Sequence, residues 1–283
     1  MKWLHSIKQY IPRHKYAIDA KFLGDDALLA WSNLGYWQAV DDPYPQACQA
    51  LADRLAQSLK LQANDQVLDL GCGQGASIWH WHTQYQVASI KAVELQEACV
   101  QCIQNVLNSK HIATANIEIF ADSFLNLNSI FPKKCFDVVM CIDAAYHSNL
   151  NSFLLSTTSV LNSKGRLGFH YLIVDEKFLN LNAMQQLRYR ALLKAADVDI
   201  RKLPTVNSLQ ESLKQFEFKN IQIENISMQV FSGFAQYAHH LLNSNMTAQG
   251  LAQFKIQMTA KLCRTLFEEG LVHYVQVSAS KDV

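Results

Sequence analysis

The residues best suited to chemistry in this sequence are alternating glycines that directly follow a mostly apolar run. Glycine occupies positions 71, 73 and 75, immediately after Val67–Leu70. Glycine tolerates positive φ angles, and without a Cβ its backbone can approach a ligand closely. A strand that turns through such glycines into a helix presents free backbone N–H groups to that ligand. The spacing therefore predicts a turn that binds a nucleotide-like molecule.

Two acidic residues end the strands that are predicted after this turn. Glu94 closes Ser89–Glu94, 19 residues after Gly75, and Asp122 closes Asn116–Asp122. In a parallel sheet the carboxyl ends of neighbouring strands meet at one edge, beside the ligand. A carboxylate there can accept hydrogen bonds from two ribose hydroxyls, which is the role expected of Glu94.

The elements that must position these residues alternate between strand and helix. Period and composition predict a doubly wound parallel α/β sheet. Its strands are Val67–Leu70, Ser89–Glu94, Asn116–Asp122, Phe136–Asp143 and Arg166–Val174, and its helices are Ala76–Tyr85, Gln96–Lys110 and Leu150–Leu161. Ser163–Gly165 is the predicted turn before the fifth strand.

The glycine spacing also fits the dinucleotide fingerprint, so its neighbours must distinguish the two cofactor classes. Residues 69–75 read Asp-Leu-Gly-Cys-Gly-Gln-Gly, and residues 136–139 read Phe-Asp-Val-Val. With these motifs the chain resembles the class I S-adenosylmethionine-dependent methyltransferases, well over residues 62–175 and more loosely at the ends. The resemblance implies S-adenosyl-L-methionine as cofactor and S-adenosyl-L-homocysteine as product.

The resemblance also implies the roles of individual residues and the rest of the fold. Asp122 matches the position that meets the exocyclic amine of adenine, and the glycine loop holds the methionine end. A Rossmann-like methyltransferase sheet of seven strands is expected, with helix Leu209–Phe216, strand Ile221–Ile226 and an antiparallel last strand Leu271–Ser278. The expected cofactor-binding residues are Tyr36, Trp37, Asp69, Gly71, Cys72, Gly73, Gly75, Glu94, Leu95, Asp122, Ser123 and Asp143.

A second motif precedes the glycine loop. Asn33-Leu34-Gly35-Tyr36-Trp37 resembles a segment of the sterol, tocopherol and cyclopropane-synthase branch, in which a Tyr or Trp helps to cover the cofactor. The alternative is a hydrophobic plug that anchors the N-terminal region.

Two residues after the fourth strand are the candidates for catalysis. His147 and Tyr146 lie where an acceptor should approach. Imidazole accepts a proton near neutral pH, so His147 could deprotonate an acceptor that Tyr146 orients. The alternative is a surface histidine bonded to the backbone, since not every methyl transfer needs a base. No metal site is expected: Cys99-x-x-Cys102 has no second pair, and Trp79–His82 points its histidines to different sides of a helix.

Two regions are expected to be organised as units. Residues 1–61 form an N-terminal helical cap with helices Tyr16–Trp31 and Pro43–Leu59, and residues 62–283 form the methyltransferase domain. Helical lid insertions interrupt this domain at about 176–200 and 228–268, the second broken near Asn243–Thr247 and stopped by Gly270. Aromatics recurring through Val230–Tyr237 favour a core face over a pocket wall.

Composition excludes several classes of protein. The 283 residues carry a net charge of +1, with 49% hydrophobic and 17% charged residues, so a nucleic-acid partner is not expected. Seven scattered cysteines favour buried thiols in a reducing compartment. Without a secretory h-region or a spanning apolar run, a cytoplasmic location and no integral membrane segment are expected.

The combined prediction is an S-adenosylmethionine-dependent methyltransferase that acts on a small, partly apolar molecule. A methyltransferase of proteins or nucleic acids is one alternative. An NAD(P)-dependent oxidoreductase is another, since it shares the loop and Glu94, and an inactive cofactor-binding scaffold is a third. The sequence leaves open the acceptor, its methylated atom and the oligomeric state.

Overall fold

A computed structural model describes residues 19–109, 116–194, 196–244 and 250–282. The described strands form one sheet in the order β3-β2-β1-β4-β5-β7-β6, in which β7 runs antiparallel to both its neighbours and the other pairs are parallel. The strands are β1 (Gln66–Leu70), β2 (Ser89–Glu94), β3 (Ile117–Ala121), β4 (Phe136–Cys141), β5 (Leu161–Val174), β6 (Phe218–Asn225) and β7 (Val272–Lys281). The predicted seven-stranded sheet with an antiparallel last strand is confirmed.

Helices cover both faces of this sheet. In the described ranges the α-helices are α1 (Tyr44–Ser58), α2 (Ala76–His80), α3 (Glu97–Ser109), α4 (Leu127–Ile130), α5 (Leu150–Val160), α6 (Glu176–Leu179), α7 (Ala183–Lys194), α8 (Val206–Gln215), α9 (Gly233–Ser244) and α10 (Leu251–Glu269). The described residues also form π-helices at Trp81–Tyr85 and Met228–Ser232 and 3₁₀ helices at Phe124–Asn126, Ala145–His147 and Ile200–Lys202.

The register of the parallel strands places their carboxyl ends on one edge. Leu68 of β1 lies opposite Lys91 of β2 and Val139 of β4. Val67, Leu68 and Leu70 are fully buried because both faces of the sheet are covered. The residues that follow β1, β2, β3 and β4 therefore meet along the same edge.

The predicted helix over Tyr16–Trp31 is wrong for its described part, which begins at residue 19. Residues 19–31 form turns and bends. Gly24 has a φ of 92°, and the Asp25 carboxylate accepts the backbone N–H groups of Ala27 (3.0 Å) and Trp31 (2.7 Å). In a helix these backbone N–H groups would donate to backbone carbonyls of the preceding turn. Here the Asp25 carboxylate accepts them, and the chain forms turns instead of a helix. The second predicted helix is present as α1.

The predicted turn Ser163–Gly165 lies inside a strand. β5 begins at Leu161, which pairs with Phe136 of β4, and the register shifts between Phe136 and Val138. Lys164, within the predicted turn, has a φ of 63°. The chain therefore bends there as an irregularity of β5 and not as a turn before it.

Both predicted insertions contain helices. The first holds α6 and α7, and the second holds the Met228–Ser232 π-helix, α9 and α10. α9 ends at Ser244, within the predicted break, whose remaining residues 245–247 lie outside the described ranges. Gly270 ends α10 with a φ of 62° and donates its N–H to Leu266 O at 3.1 Å, as expected of a C-terminal glycine.

The aromatic stripe of the second insertion belongs to the core. Phe231 and Phe234 are buried, and the Tyr237 hydroxyl donates to Leu23 O at 2.6 Å. All seven cysteines are free thiols. Within the described ranges, none of the helices has the length and apolar character needed to cross a membrane.

Candidate active site

The glycine loop lies between β1 and α2 and is closely enclosed. Gly71 donates its N–H to Val93 O of β2 at 2.8 Å, and Gly73 has a φ of 55°. A Cβ on Gly73 would lie 2.4 Å from Ser32 Oγ, and one on Gly71 would lie 2.8 Å from the Ala144 side chain. Residues before β1 and after β4 therefore close on the loop, and only glycine leaves them room.

Glu94 is tied to this loop. Its side chain is buried, and its Oε2 accepts the Gly73 N–H at 3.0 Å while Oε1 accepts the Gln96 N–H at 2.9 Å. Each oxygen of a carboxylate can accept a second hydrogen bond. Leu95, the next residue, is 69% exposed and presents an apolar surface beside this acid.

Asp122 lies beside Glu94, since its backbone N–H donates to Glu94 O at 3.2 Å. Its Oδ1 accepts the Ser123 N–H at 2.6 Å and Asn126 Nδ2 at 2.9 Å. Ser123 Oγ accepts the Leu125 N–H at 3.2 Å and so caps the 3₁₀ helix that follows. Within the described residues, Asp122 Oδ2 makes no hydrogen bond and can accept one from an amine.

Asp69 is a buried acid on β1, 1% exposed. Its Oδ2 accepts the indole N–H of Trp81 at 2.9 Å. Burial raises the pKa of Asp69 to about 6, while hydrogen bonds from Ser77 and Trp81 lower it, and the nearby Glu94 raises it further. The sequence identified Asp69, but not the indole that orients it.

Asp143 follows β4 in a left-handed conformation, with a φ of 54°. Its Oδ2 accepts the Leu34 N–H at 2.9 Å, and its Oδ1 accepts the hydroxyls of Tyr146 and Tyr274, both at 2.8 Å. Burial raises the pKa of Asp143 to about 6, and these three bonds act against the rise. A non-glycine residue is held at positive φ only where its surroundings fix it, as these donors do.

A small cavity of about 70 Å³ brings some of these groups together, but Glu94 and Asp122 do not line it. Asp69 and Asp143 both line it, next to the glycine loop. Its wall consists of Ala30, Trp31, Ser32, Asn33, Asp69, Gly71, Cys72, Ala76, Ser77, Ile142, Asp143 and Ala144. A larger hollow of about 380 Å³ lies between α3 and β3, but none of the predicted site residues lines it.

Sequence reasoning missed several residues of this site. Trp31, Ser32 and Asn33 line the cavity, although only Asn33 belonged to a quoted motif. Tyr274 lies on the last strand, 131 residues from Asp143, in an apolar run that predicts only a strand. No local signal in the sequence links a tyrosine of β7 to an acid after β4.

Trp37 fastens the N-terminal segment to the second insertion. It is 5% exposed, its indole N–H donates to Leu34 O at 2.8 Å, and its ring stacks on Tyr237 with centroids 4.3 Å apart. Its backbone N–H donates to Gln229 O at 3.2 Å. Trp37 does not line the small cavity, and its role in covering the cofactor stays a prediction.

Tyr36 is half-buried and turned toward α1. Its N–H donates to Ala47 O at 2.7 Å, and the Arg54 guanidinium lies 4.9 Å from the centre of its ring. Like Trp37, it does not line the small cavity.

The two candidate catalytic residues differ in their surroundings. Tyr146 is half-buried, and its hydroxyl is engaged by Asp143. His147 is exposed, its ring centre lies 4.6 Å from that of Tyr146, and its Nδ1 lies 3.4 Å from Asp197 O in the first insertion. His147 thus lies outside the cavity wall, in the arrangement of a histidine bonded to the backbone.

The chain matches a known family over most of its length. The model of the family described as mycolic acid cyclopropane synthetase matches residues 23–277. The 27-O-demethylrifamycin SV methyltransferase of Amycolatopsis mediterranei is 22% identical over 249 residues, which cover 87% of this chain and 88% of that protein. The erythromycin 3''-O-methyltransferase of Saccharopolyspora erythraea is 29% identical over 110 residues, 36% of each chain.

Solved structures share the fold. The mycolic acid cyclopropane synthase CmaA1, complexed with SAH and CTAB, superposes with a TM-score of 0.76 at 17% identity, covering 96% of this chain and 97% of that one. The site suits the predicted cofactor. Gly71 and Gly73 leave open the space that a Cβ would fill, and the acids of β1 and β2 lie beside this loop. The chain therefore belongs to the mycolic acid cyclopropane synthetase family and is an S-adenosylmethionine-dependent methyltransferase.

Proposed function

We propose that this enzyme methylates a small, partly apolar molecule at the carboxyl edge of the sheet. The observation that carries the proposal is the cover over the glycine loop: Ala30 and Trp31, which precede β1, line the small cavity together with Ile142 and Ala144, which follow β4. An apolar cover excludes water from a small acceptor, whereas a macromolecule needs an open docking surface. Two relatives are named for methylation of rifamycin and erythromycin compounds, which are small molecules.

The cofactor supplies a methyl group that is already electrophilic, so the protein mainly orients the reactants and excludes water. We assign the ribose hydroxyls to Glu94 and the adenine amine to the open Oδ2 of Asp122, with Leu95 and Ser123 beside the base. The methionine end is assigned to the glycine loop with Asp69. Tyr36 and Trp37 support the N-terminal segment that closes over these groups.

The acceptor is assigned to the side of the cavity after β4. Tyr146 orients it through the hydroxyl that Asp143 holds. That His147 accepts a proton from the acceptor stays a prediction, and it requires the imidazole to leave Asp197 O and turn inward. An acceptor without an acidic proton needs no such base.

The proposal also assigns a role to each region of the chain. We propose that residues 1–61 act as a cap on a catalytic domain of residues 62–283, whose insertions at about 176–200 and 228–268 complete the cover. A cytoplasmic location is part of the proposal, because the free cysteines suit a reducing compartment.

Titration calorimetry with S-adenosylhomocysteine tests the cofactor assignments. Glu94→Gln should weaken binding more than Asp122→Ala, because Glu94 can accept two ribose hydroxyls and each lost bond to a charged acceptor reduces affinity by about 1.5–3 kcal/mol. Glu118→Gln is the matched control, since it replaces an exposed acid of β3 that pairs with Lys91. Unchanged affinity in both site variants would remove these residues from the cofactor site.

The acceptor class is tested by incubating the enzyme and methyl-labelled cofactor with cell extract that has been separated into small molecules, protein and nucleic acid. The proposal expects enzyme-dependent label in the small-molecule fraction alone. Label that appears in protein or nucleic acid instead would establish the alternative macromolecular acceptor.

A further inference from the structure

Asp69, which is buried, and Asp143, which is partly buried, share one cavity, and neither has a positive partner among the described residues. Asp69 and Asp143 both line the small cavity, and the ion pairs of the described residues include neither. Instead, neutral donors hold them: an indole N–H on Asp69, and two phenols and a backbone N–H on Asp143. Burying an ionised group without a counter-charge is costly, and a positive ligand in the cavity would reduce this cost.

In the part of the chain that the structure describes, the other titratable groups near Asp143 do not supply a positive charge. They come from four elements besides its own loop: Tyr44 and Cys48 of α1, Cys141 of β4, Cys263 of α10 and Tyr274 of β7, together with Tyr146. Burial raises the pKa of each of them above its ordinary value, which keeps them neutral at physiological pH. Near Asp69, Glu94 adds a further negative charge, and the pKa of Cys72 is raised by burial.

We propose that Asp143, together with Asp69, makes this site select the positively charged cofactor over its neutral product. S-adenosylmethionine carries a sulfonium and an ammonium group against one carboxylate, whereas S-adenosylhomocysteine has lost the sulfonium charge. The inference rests on the proposed placement of the cofactor beside the glycine loop. Its consequence is that the site holds the cofactor more tightly before methyl transfer than the product afterwards, which favours product release.

Binding of three ligands of similar shape tests the effect of the ligand's charge. S-adenosylmethionine is positive at sulfur, S-adenosylhomocysteine is neutral there, and sinefungin carries an amine in place of the sulfonium methyl. Asp143→Asn should reduce the affinity for the first and third ligands by about tenfold or more, which corresponds to about 1.4 kcal/mol or more for one lost charge pair. Affinity for S-adenosylhomocysteine should change by less than about threefold.

Asp137→Asn is the matched control. Asp137 lies at the start of β4, at the opposite end of the strand, and its oxygens accept Gln66 N–H and Asn162 Nδ2. We expect all three affinities to stay at their wild-type values. If Asp143→Asn lowers the three affinities by one common factor, or by none, the proposed selection by charge is refuted.

A measurement on the wild-type protein tests the inference without any variant. At pH 6, Asp143 with a pKa of about 6 is about half protonated, and a nearby positive ligand should release about half a proton from it. Calorimetry in two buffers that differ in ionisation enthalpy counts these protons. We expect more proton release with S-adenosylmethionine than with S-adenosylhomocysteine, and equal counts would overturn the proposal.

The placement of the cofactor and the selection by charge fail in different ways. If Glu94→Gln leaves all three affinities unchanged, the placement is wrong. If Glu94→Gln weakens all three ligands while the proton counts and Asp143→Asn fail to distinguish them, the placement holds and only the selection by charge is wrong.

Discussion

Asp69→Asn is the substitution that measures how strongly the charge of the site opposes folding. The side chain is 1% exposed, and burial raises its pKa from 3.8 to about 6. Because the folded pKa lies above the unfolded value, the folded state binds the proton more tightly, and stability falls as pH rises from about 4 through about 6. The full loss is about 3 kcal/mol, at about 1.4 kcal/mol for each pH unit between the two pKa values.

About half of this loss should appear between pH 5 and pH 8, because Asp69 would already be largely ionised at pH 5 in the unfolded chain. Without ligand, the wild-type protein should therefore lose about 1.5 kcal/mol more than Asp69→Asn across this range. The variant's absolute stability is a poorer measure, since an amide with unpaired N–H groups costs about 1–3 kcal/mol.

Urea unfolding at pH 5 and pH 8, followed by tryptophan fluorescence, measures both proteins. Other acids also make stability depend on pH: Asp53 and Asp199 have lowered pKa values, so they stabilise the folded state more as pH rises. These acids are present in both proteins, so the difference in unfolding free energy between wild type and variant isolates the effect of Asp69. Asp137→Asn should follow the wild-type curve. If the curves of wild type and Asp69→Asn are parallel, the buried charge of Asp69 does not oppose folding and the reasoning is wrong.

Two further substitutions test the loop and the acceptor side. Gly73→Ala should weaken cofactor binding, because the new Cβ would lie 2.4 Å from Ser32 Oγ, which must move, and an L-residue at a φ of 55° is strained by about 1–2 kcal/mol. Adding Ser32→Ala should restore part of the affinity, and a double variant no better than Gly73→Ala would exclude the clash as the cause. If His147 is the base, His147→Ala should lower kcat by roughly 10²-fold with cofactor affinity unchanged, and a near wild-type rate would remove it from the mechanism.

The sequence determined the sheet and the residues at its edge, because both depend on local patterns. Apolar strands separated by helical periods specify a parallel sheet, and the carboxyl ends of parallel strands must meet. This rule places the glycine loop, Glu94 and Asp122 at one edge, and Glu94 accepts the Gly73 N–H there. The resemblance to methyltransferases, and not the local pattern, predicted the cofactor contact of Asp122 and the antiparallel last strand.

A local pattern gave a wrong prediction where a side chain hydrogen-bonds to the backbone. Apolar spacing predicted a helix through residues 19–31, but Gly24 and the Asp25 carboxylate bend the chain into turns. This bend brings Trp31 and Ser32 against the glycine loop, where they line the cavity. The spacing of apolar residues carries no information about which backbone N–H groups a nearby carboxylate will bind.

Only the tertiary structure decided the electrostatics of the site. Asp143 acquires its partners from Leu34, 109 residues earlier, and from Tyr274, 131 residues later. It also decided that His147 faces Asp197 O and that Trp37 stacks on Tyr237. A carboxylate's pKa and a ring's orientation depend on burial and on donors distant in sequence, so residue type and spacing fix the candidates but not their environment.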